Sequence, residues 1–327
     1  MEHLLEEFAP VSTAEWEAAI ARDLKGADYE KRLIWRNEEG LAVKPYYRVE
    51  DLKNLAYMET TPGAFPYRRG ARTTGDWQIR EEIGAEDAET ANREACAAVA
   101  AGAEEIAFSG LLVESADELN VLLANLDEVP VHFEHADDGL LKLLLGKLRA
   151  GRRAARVSTG CDALAGVDFA AETINGAPDG FVPFTIHGDV FEETGATAAE
   201  EVGFSLASGI DFLCTLQERG VDSGRAASAI EFDFAMGSNY FFQIAKLRAF
   251  CMLWARVVES FGGARSEARA HIAARTSRWN KTLYDPHVNI LRATTEAMAA
   301  VLGGADSVMV APFDAFYKQP DEASRRL

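Results

Sequence analysis

Two groups of polar side chains have types and spacings that could do chemistry. Arg68, Arg69 and Arg72 follow one another in a Pro- and Gly-rich segment, and guanidinium groups at this density suit the oxygens of a phosphate ester. The same arginines could instead brace an N-terminal arm against the rest of the protein. His187 precedes Gly188 at the end of a predicted strand, where its imidazole could be a functional group or a structural one. The residues alone leave both alternatives open.

The cysteines do not predict a metal site. Cys96, Cys161, Cys214 and Cys251 form no C-x-x-C pair, and each lies in an apolar or strand-like setting. We expect reduced thiols used as small core residues in a cytosolic protein. No other set of residues predicts a metal ligand cluster.

The elements that must position these side chains alternate between strand and helix from Asp76 onward. Repeated β-then-α units over this length indicate a parallel sheet with helices outside it. A doubly wound sheet would carry a glycine fingerprint after its first strand, and the sequence has none. We therefore predict a (β/α)₈ TIM-type barrel, with at least one strand candidate outside it. The nine candidates are residues 77–83, 105–109, 129–135, 155–160, 181–188, 212–217, 230–236, 271–276 and 306–312.

The first sixty residues differ from this pattern. Residues 14–24 predict an amphipathic helix with Ser12 or Thr13 as its N-cap. Two short runs separated by Glu38-Glu39-Gly40 then indicate a hairpin. We expect an arm over residues 1–60 and a barrel over residues 61–327, with the apolar stripe of the arm packed on its own barrel or on a partner.

The net charge of the chain disfavours negatively charged ligands and surfaces. The chain carries 52 acidic and 33 basic residues, for a net charge of −19. A field of this sign repels nucleic acid and anionic membrane surfaces, and it admits an anionic ligand only beside a local arginine cluster. The acidic N-terminus has no signal-peptide pattern, and no apolar run approaches the ~20 residues of a membrane span. The sequence predicts a soluble, cytoplasmic protein.

Four long stretches resemble the methylmalonyl-CoA mutase family. They are EWEAAIARDLKGADYEKRL, PGAFPYRRG, SNYFFQIAKLRAFCMLWARV and DPHVNILRATTEAMAAVLGGADSV. The resemblance implies a barrel threaded by CoA, with adenosylcobalamin across its mouth.

In the family, a separate C-terminal flavodoxin-like domain holds the cobalt through a D-x-H-x-x-G motif. We do not expect that domain here, because the similar string at Asp285 and His287 lacks the glycine. His287 is expected to cap or pack at a helix start. The last residues, DEASRRL, resemble a helix that leads to that domain, so we expect a barrel shortened at its C-terminus.

Several positions depart from the family pattern where it implies chemistry. Aligning on the segment ETGAT puts Val190 at the position of the family's histidine, and an isopropyl group donates no hydrogen bond. His187 is offset from that position by three residues. The family's Q-T-S-G-W segment reads RTSRW here, and its S-L-D-E segment reads PFDA. The cofactor-facing positions that these two segments imply are Arg275, Arg278, Trp279 and Ala315.

These departures favour a chain that resembles the small subunit of the mutase and is a non-catalytic partner of a catalytic large chain. We expect this chain to bind no cofactor alone, with adenosylcobalamin present in the assembly. Its partner is a large mutase chain or a second copy of itself. By resemblance, Arg69, with Arg68 and Arg72 beside it, would lie near the phosphates of a CoA ester. The alternatives are a barrel-only mutase chain that is active with a separately encoded cobalamin-binding domain, and a stand-alone acyl-CoA-binding barrel.

Overall fold

The structure is a computed structural model that describes residues 8–151, 156–164, 167–318 and 320–326. The chain divides into two compact units, Met1–Met58 and Glu59–Leu327. None of the helices in these described ranges is long and apolar enough to cross a membrane.

The first unit contains short elements only. Its helices are α1 (Thr13–Asp23), α2 (Tyr29–Leu33) and a 3₁₀ helix (Val49–Leu52), and its strands β1 (Trp35–Arg36) and β2 (Ala42–Val43) pair antiparallel. Ser12 caps α1 in a reciprocal capping box with Glu15. Both the predicted helix and the predicted hairpin are present. No residue from 8 to 58 is buried, so the described part of this unit has no core of its own.

The second unit is a parallel β-barrel. Its strands are β3 (Gln78–Gly84), β4 (Glu105–Ser109), β5 (Val131–Phe133), β6 (Val157–Thr159), β7 (Phe181–Val182), β8 (Phe184–His187), β9 (Ile230–Met236), β10 (His271–Thr276) and β11 (Ser307–Met309). Their order in the sheet is β7-β6-β5-β4-β3-β11-β10-β9-β8.

One interrupted strand closes this barrel. Pro183 lacks the N–H that a ladder needs and separates β7, which pairs with β6, from β8, which pairs with β9. Thr185 of β8 forms a further parallel bridge with Asp162, which follows β6. Taken together, β7 and β8 form one position of an eight-stranded ring, which confirms the predicted (β/α)₈ barrel.

The helices of this unit carry their own start signals. They are α3 (Ala88–Ala101), α4 (Ala116–Leu122), α5 (Asp138–Arg149), α6 (Val167–Gly176), α7 (Asp189–Glu193), α8 (Ala198–Glu218), α9 (Ser223–Ser228), α10 (Tyr240–Ser260), α11 (Val288–Gly303) and α12 (Glu322–Arg326). Asp87, Ser115 and Thr197 each accept a backbone N–H at a helix start. The core between helices and sheet includes Trp254 of α10, whose ring lies edge-on to Phe232 of β9 at 4.8 Å.

The strand predicted at residues 212–217 is wrong, because this segment is the end of α8. Its apolar run resembles a buried strand, but Phe212, Leu213 and Leu216 have the spacing of one helix face and are all buried. The other eight candidates coincide with the barrel strands, and β4, β9 and β10 have the predicted bounds.

Candidate functional site in the barrel lumen

A charged network fills the barrel lumen at the level of β3, β4 and β9. Arg80 Nε lies 2.9 Å from Glu105 Oε2, and Arg80 Nη2 lies 3.0 Å from Glu105 Oε1 and 2.9 Å from Glu231 Oε1. Arg80 is 2% exposed and both glutamates are 0% exposed. Two strands separate β3 from β9 around the ring, so the Arg80–Glu231 bond crosses the lumen.

Two further groups extend this network. Arg156, just before β6, donates to Glu231, and its Nη1 lies 3.5 Å from Glu105 Oε1. Burial opposes ionisation of Glu231, but Arg156 and Arg80 outweigh burial and hold its pKa well below the usual range. His132 of β5 bonds Ser158 Oγ through Nδ1 at 2.8 Å. Burial, assisted by Arg80, lowers the pKa of His132 to about 4, so this imidazole is neutral at pH 7.

A second layer lies nearer the carboxyl ends of the strands. Arg275 of β10 lies 3.1 Å from Glu134 Oε2, 3.2 Å from Asp189 Oδ2 and 3.3 Å from Asp233 Oδ2. Glu134 follows β5, which stands opposite β10 in the ring, so this ion pair spans the barrel. Burial raises the pKa of Asp233 to about 7, although Arg275 opposes the rise.

His187 ends β8 beside this layer. Its Nε2 lies 3.2 Å from the carbonyl oxygen of Gly160, and its Nδ1 lies 3.8 Å from Asp233 Oδ2 and 3.9 Å from Asp189 Oδ1. Burial opposes protonation of this imidazole, but Asp233 and Asp189 raise its pKa. Glycine is required at position 160, because a Cβ there would lie 2.1 Å from the carbonyl oxygen of Glu134.

Val190 lies outside the ion-paired layer. It is in the first turn of α7, about half exposed, and it lines a cavity of about 230 Å³ at the barrel rim with His187. His187, the last residue of β8, thus faces the carboxylates, whereas Val190 in α7 contributes an apolar surface at the rim.

A cavity of about 240 Å³ opens at the mouth of the barrel between β3, β4, β10 and β11. Arg275, Arg278 and Ala315 all line this cavity. Arg278 is largely exposed, and its Nε lies 3.9 Å from Glu193 Oε1. Trp279 is 68% exposed and is not a lining residue. The structure thus brings together three of the four positions that the resemblance places next to the cofactor.

The three arginines after the Pro- and Gly-rich segment do not share one site. Arg68 is exposed, and Arg69 Nη1 donates to the carbonyl of Thr60 at 3.3 Å. Arg72 is mostly buried, where it donates to the carbonyl of Ala305 at 2.6 Å and lies 3.9 Å from Asp306 Oδ1.

Arg72 and Asp306 line a cavity of about 750 Å³ at the amino ends of the strands. Arg269, which also lines it, is paired with Asp306 as well. Both guanidinium groups are therefore already engaged by a carboxylate. Far from this cavity, His287 stacks on Phe313 at 5.3 Å, and its side chain makes no hydrogen bond to the start of α11.

Glu134, Asp189 and Asp233 were not predicted as site residues from the sequence. A signal for Asp233 was present, since Glu231 and Asp233 alternate with apolar residues in a strand that is buried throughout. For Asp189 the signal was the HGD segment, which follows a strand end, where barrel enzymes carry their sites. The pairing of these acids with Arg275 joins residues of β9, β10, α7 and the segment after β5, so it could not be read from one segment.

Comparisons with known proteins agree with the sequence resemblance. The family model described as methylmalonyl-CoA mutase matches residues 36–112 and 167–327. The methylmalonyl-CoA mutase small subunit of Porphyromonas gingivalis is 34% identical over 100% of this chain and 57% of its own length. The small subunit of Streptomyces virginiae is 30% identical over 99% of this chain and 57% of its own length.

The large subunit of Streptomyces virginiae is 28% identical over 97% of this chain and 50% of its own length. The chain therefore spans little more than half the length of the curated relatives it matches. Among solved structures, Yersinia pestis dihydropteroate synthase aligns with 72% of this chain and 86% of its own, at 14% identity and a TM-score of 0.43. The family match covers most of the barrel, and the small-subunit matches cover essentially the whole chain. The chain belongs to the methylmalonyl-CoA mutase family.

Proposed function

We propose that this chain is a non-catalytic partner of the small-subunit type, which binds and stabilises a catalytic mutase chain in the cytoplasm. The assembly would interconvert methylmalonyl-CoA and succinyl-CoA with adenosylcobalamin, and this chain would hold no cobalamin by itself. The observation that carries the proposal is the filled lumen. In catalytic members, by resemblance, CoA threads the barrel, whereas here the Arg80–Glu231 and Arg275–Glu134 pairs cross it.

A threaded acyl-CoA would have to separate these pairs. Breaking a buried ion pair costs about 3–5 kcal/mol, because it leaves charges without partners in a medium of low dielectric constant. The pantetheine arm of CoA carries no charge that could replace either partner. The ion pairs of the lumen therefore stabilise the folded barrel and block the channel that an acyl-CoA substrate would need.

The mouth of the barrel supports the same conclusion. Val190 and Ala315 have no polar side-chain atom, so neither position supplies a hydrogen bond to a thioester or a ribose. Arg275, which the resemblance directs toward the cofactor, is held by three carboxylates.

The outer face of α11 supplies a surface for a partner. Leu291, Met298 and Leu302 are 68%, 50% and 50% exposed, and their spacing of seven and four residues puts them on one face of the helix. An apolar stripe of this kind is typical of a surface that another chain covers. Exposed aromatic residues of the first unit, including Trp16 and Trp35, offer a second contact.

Mixing this chain with the large mutase chain of the same organism tests the proposal. We expect a one-to-one complex by light scattering and no turnover by this chain with adenosylcobalamin and methylmalonyl-CoA. Leu291→Glu or Met298→Glu should weaken the complex roughly 30-fold, the factor that corresponds to about 2 kcal/mol at the centre of an interface. Val121→Glu, an equivalent change at a half-exposed position on α4, should leave the affinity unchanged.

Three other outcomes would contradict the proposal. Turnover by this chain with only a separately supplied cobalamin-binding domain would establish a barrel-only mutase. Tight binding of CoA esters without any cobalamin dependence would establish a stand-alone acyl-CoA-binding barrel. Self-association through α11, with no affinity for a large chain, would establish a homodimer.

A further inference from the structure

A cluster of three side chains at the carboxyl ends of the strands has the composition of a metal site. His187, Asp189 and Asp233 each offer one ligand atom, and these atoms all lie within 4.8 Å of one another. β8 and β9 run side by side in register, with His187 opposite Asp233, and Asp189 begins α7 two residues later. The backbone that positions the three ligands is therefore strand and helix, and not a free loop.

The orientation of His187 suits metal binding. The carbonyl oxygen of Gly160 can only accept a hydrogen bond, so the contact at 3.2 Å requires the proton on Nε2. In the neutral imidazole this leaves the lone pair of Nδ1 directed at the two carboxylates. A histidine that binds a metal usually donates its other ring N–H to a backbone carbonyl or a carboxylate in this way.

The carboxylates keep one oxygen each without a partner. Arg275 contacts Oδ2 of Asp189 and Oδ2 of Asp233. The Oδ1 atoms of both residues are buried and accept no hydrogen bond from any residue in the described ranges. Asp233 is 1% exposed and Asp189 is 7% exposed. A buried oxygen in this state costs free energy until a proton, a donor or a cation reaches it.

The layer around Arg275 has an excess of negative charge that a divalent cation could neutralise. Glu134, Asp189 and Asp233 surround a single guanidinium, that of Arg275. With all three carboxylates ionised and His187 neutral, the forms in which these groups bind a metal, the layer carries two net negative charges. A bound divalent ion would bring this sum to zero.

We propose that His187 Nδ1 and the carboxylates of Asp189 and Asp233 bind a divalent transition-metal ion of the Mn²⁺ or Zn²⁺ type. One imidazole and two carboxylates form a mixed N/O ligand set that suits these ions. The Nδ1 atom lies 3.9 Å from Asp189 Oδ1 and 3.8 Å from Asp233 Oδ2. Metal–ligand bonds of about 2.1 Å require separations of roughly 3.0–3.6 Å, so the three side chains, whose ligand atoms lie within 4.8 Å of one another, move closer together on binding. The ion would tie β8, β9 and α7 together at the rim.

Titration of the tag-free, metal-stripped chain with Mn²⁺ at pH 7.5 tests the site. Mn²⁺ is the first probe because it has little affinity for thiols, and Cys214 is exposed. We expect one ion per chain by electron paramagnetic resonance and calorimetry, with a higher melting temperature in its presence. His187→Ala and Asp189→Asn should each weaken binding on the order of 100-fold, since loss of an outer-shell partner alone costs 10–100-fold.

Two controls separate this site from other binding. Asp162→Asn removes an exposed carboxylate from the same rim cavity, and His287→Ala removes an exposed imidazole elsewhere; both should bind as the wild type does. If the ligand variants do not fold, Cu²⁺ bound to the wild-type chain provides a second measurement, because one imidazole ligand gives a nitrogen hyperfine coupling. The proposal is overturned if Mn²⁺ and Zn²⁺ do not bind at millimolar concentration. Binding that persists in His187→Ala, or a Cu²⁺ spectrum without nitrogen coupling, overturns it equally.

Discussion

Glu231→Ala is expected to lower the free energy of unfolding of the barrel by about 3–5 kcal/mol. Glu231 is the carboxylate shared by Arg80 and Arg156, and it is 0% exposed. Its removal leaves two guanidinium groups with only Glu105 between them, at a depth where water does not replace the lost charge. The loss is a large fraction of the 5–15 kcal/mol that a folded domain usually has.

Urea unfolding followed by circular dichroism measures this change. Lys142→Ala breaks an exposed ion pair with Asp138 on α5 and should change the stability by no more than about 0.5 kcal/mol. The double variant Arg80→Met with Glu231→Leu removes one charge of each sign and leaves Arg156 with Glu105. We expect the double variant to lose less unfolding free energy than the two single variants lose in sum. A loss below about 1 kcal/mol in Glu231→Ala would mean that water reaches the network and that the lumen is not filled by closed ion pairs.

Local patterns predicted much of the fold. Eight of the nine strand candidates are barrel strands, because most of these strands are largely apolar runs bounded by turn residues. The exception is β3, which contains Arg80, Glu81 and Glu82. The remaining candidate, residues 212–217, was wrong because its short apolar run fits a buried strand as well as one face of a helix. Phe212, Leu213 and Leu216 form a short apolar run, and only the longer series from Val202 onward indicates that the run belongs to a helix.

The site was less predictable, for a physical reason. Arg275 was identified from a motif, but the motif does not contain the carboxylates that hold its guanidinium group. Those acids come from segments 42 to 141 residues away, and only barrel closure brings them together. Charged residues within otherwise apolar strands, such as Glu231 and Asp233, were the available signal. Such residues predict a polar lumen, although they do not identify the partners.

The buried imidazole of His132 gives the network a dependence on pH. The pKa of His132 falls from its ordinary value of 6.5 to about 4 in the folded chain, because burial and Arg80 disfavour the protonated imidazole. Between these values the unfolded chain binds the proton and the folded chain does not, so falling pH favours unfolding. The stabilisation is complete above pH 6.5 and is lost progressively as the pH falls toward 4.

We therefore compare the wild type with His132→Asn, whose amide can replace the hydrogen bond to Ser158 without titrating. The difference in unfolding free energy, wild type minus variant, should fall by about 2 kcal/mol between pH 7 and pH 5. Ser158→Ala supplies the control, because it loses the hydrogen bond but keeps the buried imidazole and hence the pH dependence. If the difference between wild type and His132→Asn is the same at both pH values, the imidazole is hydrated or already protonated in the folded barrel. In that case the lumen at this level is open to water, and the ion pairs beside it contribute far less than a closed network would.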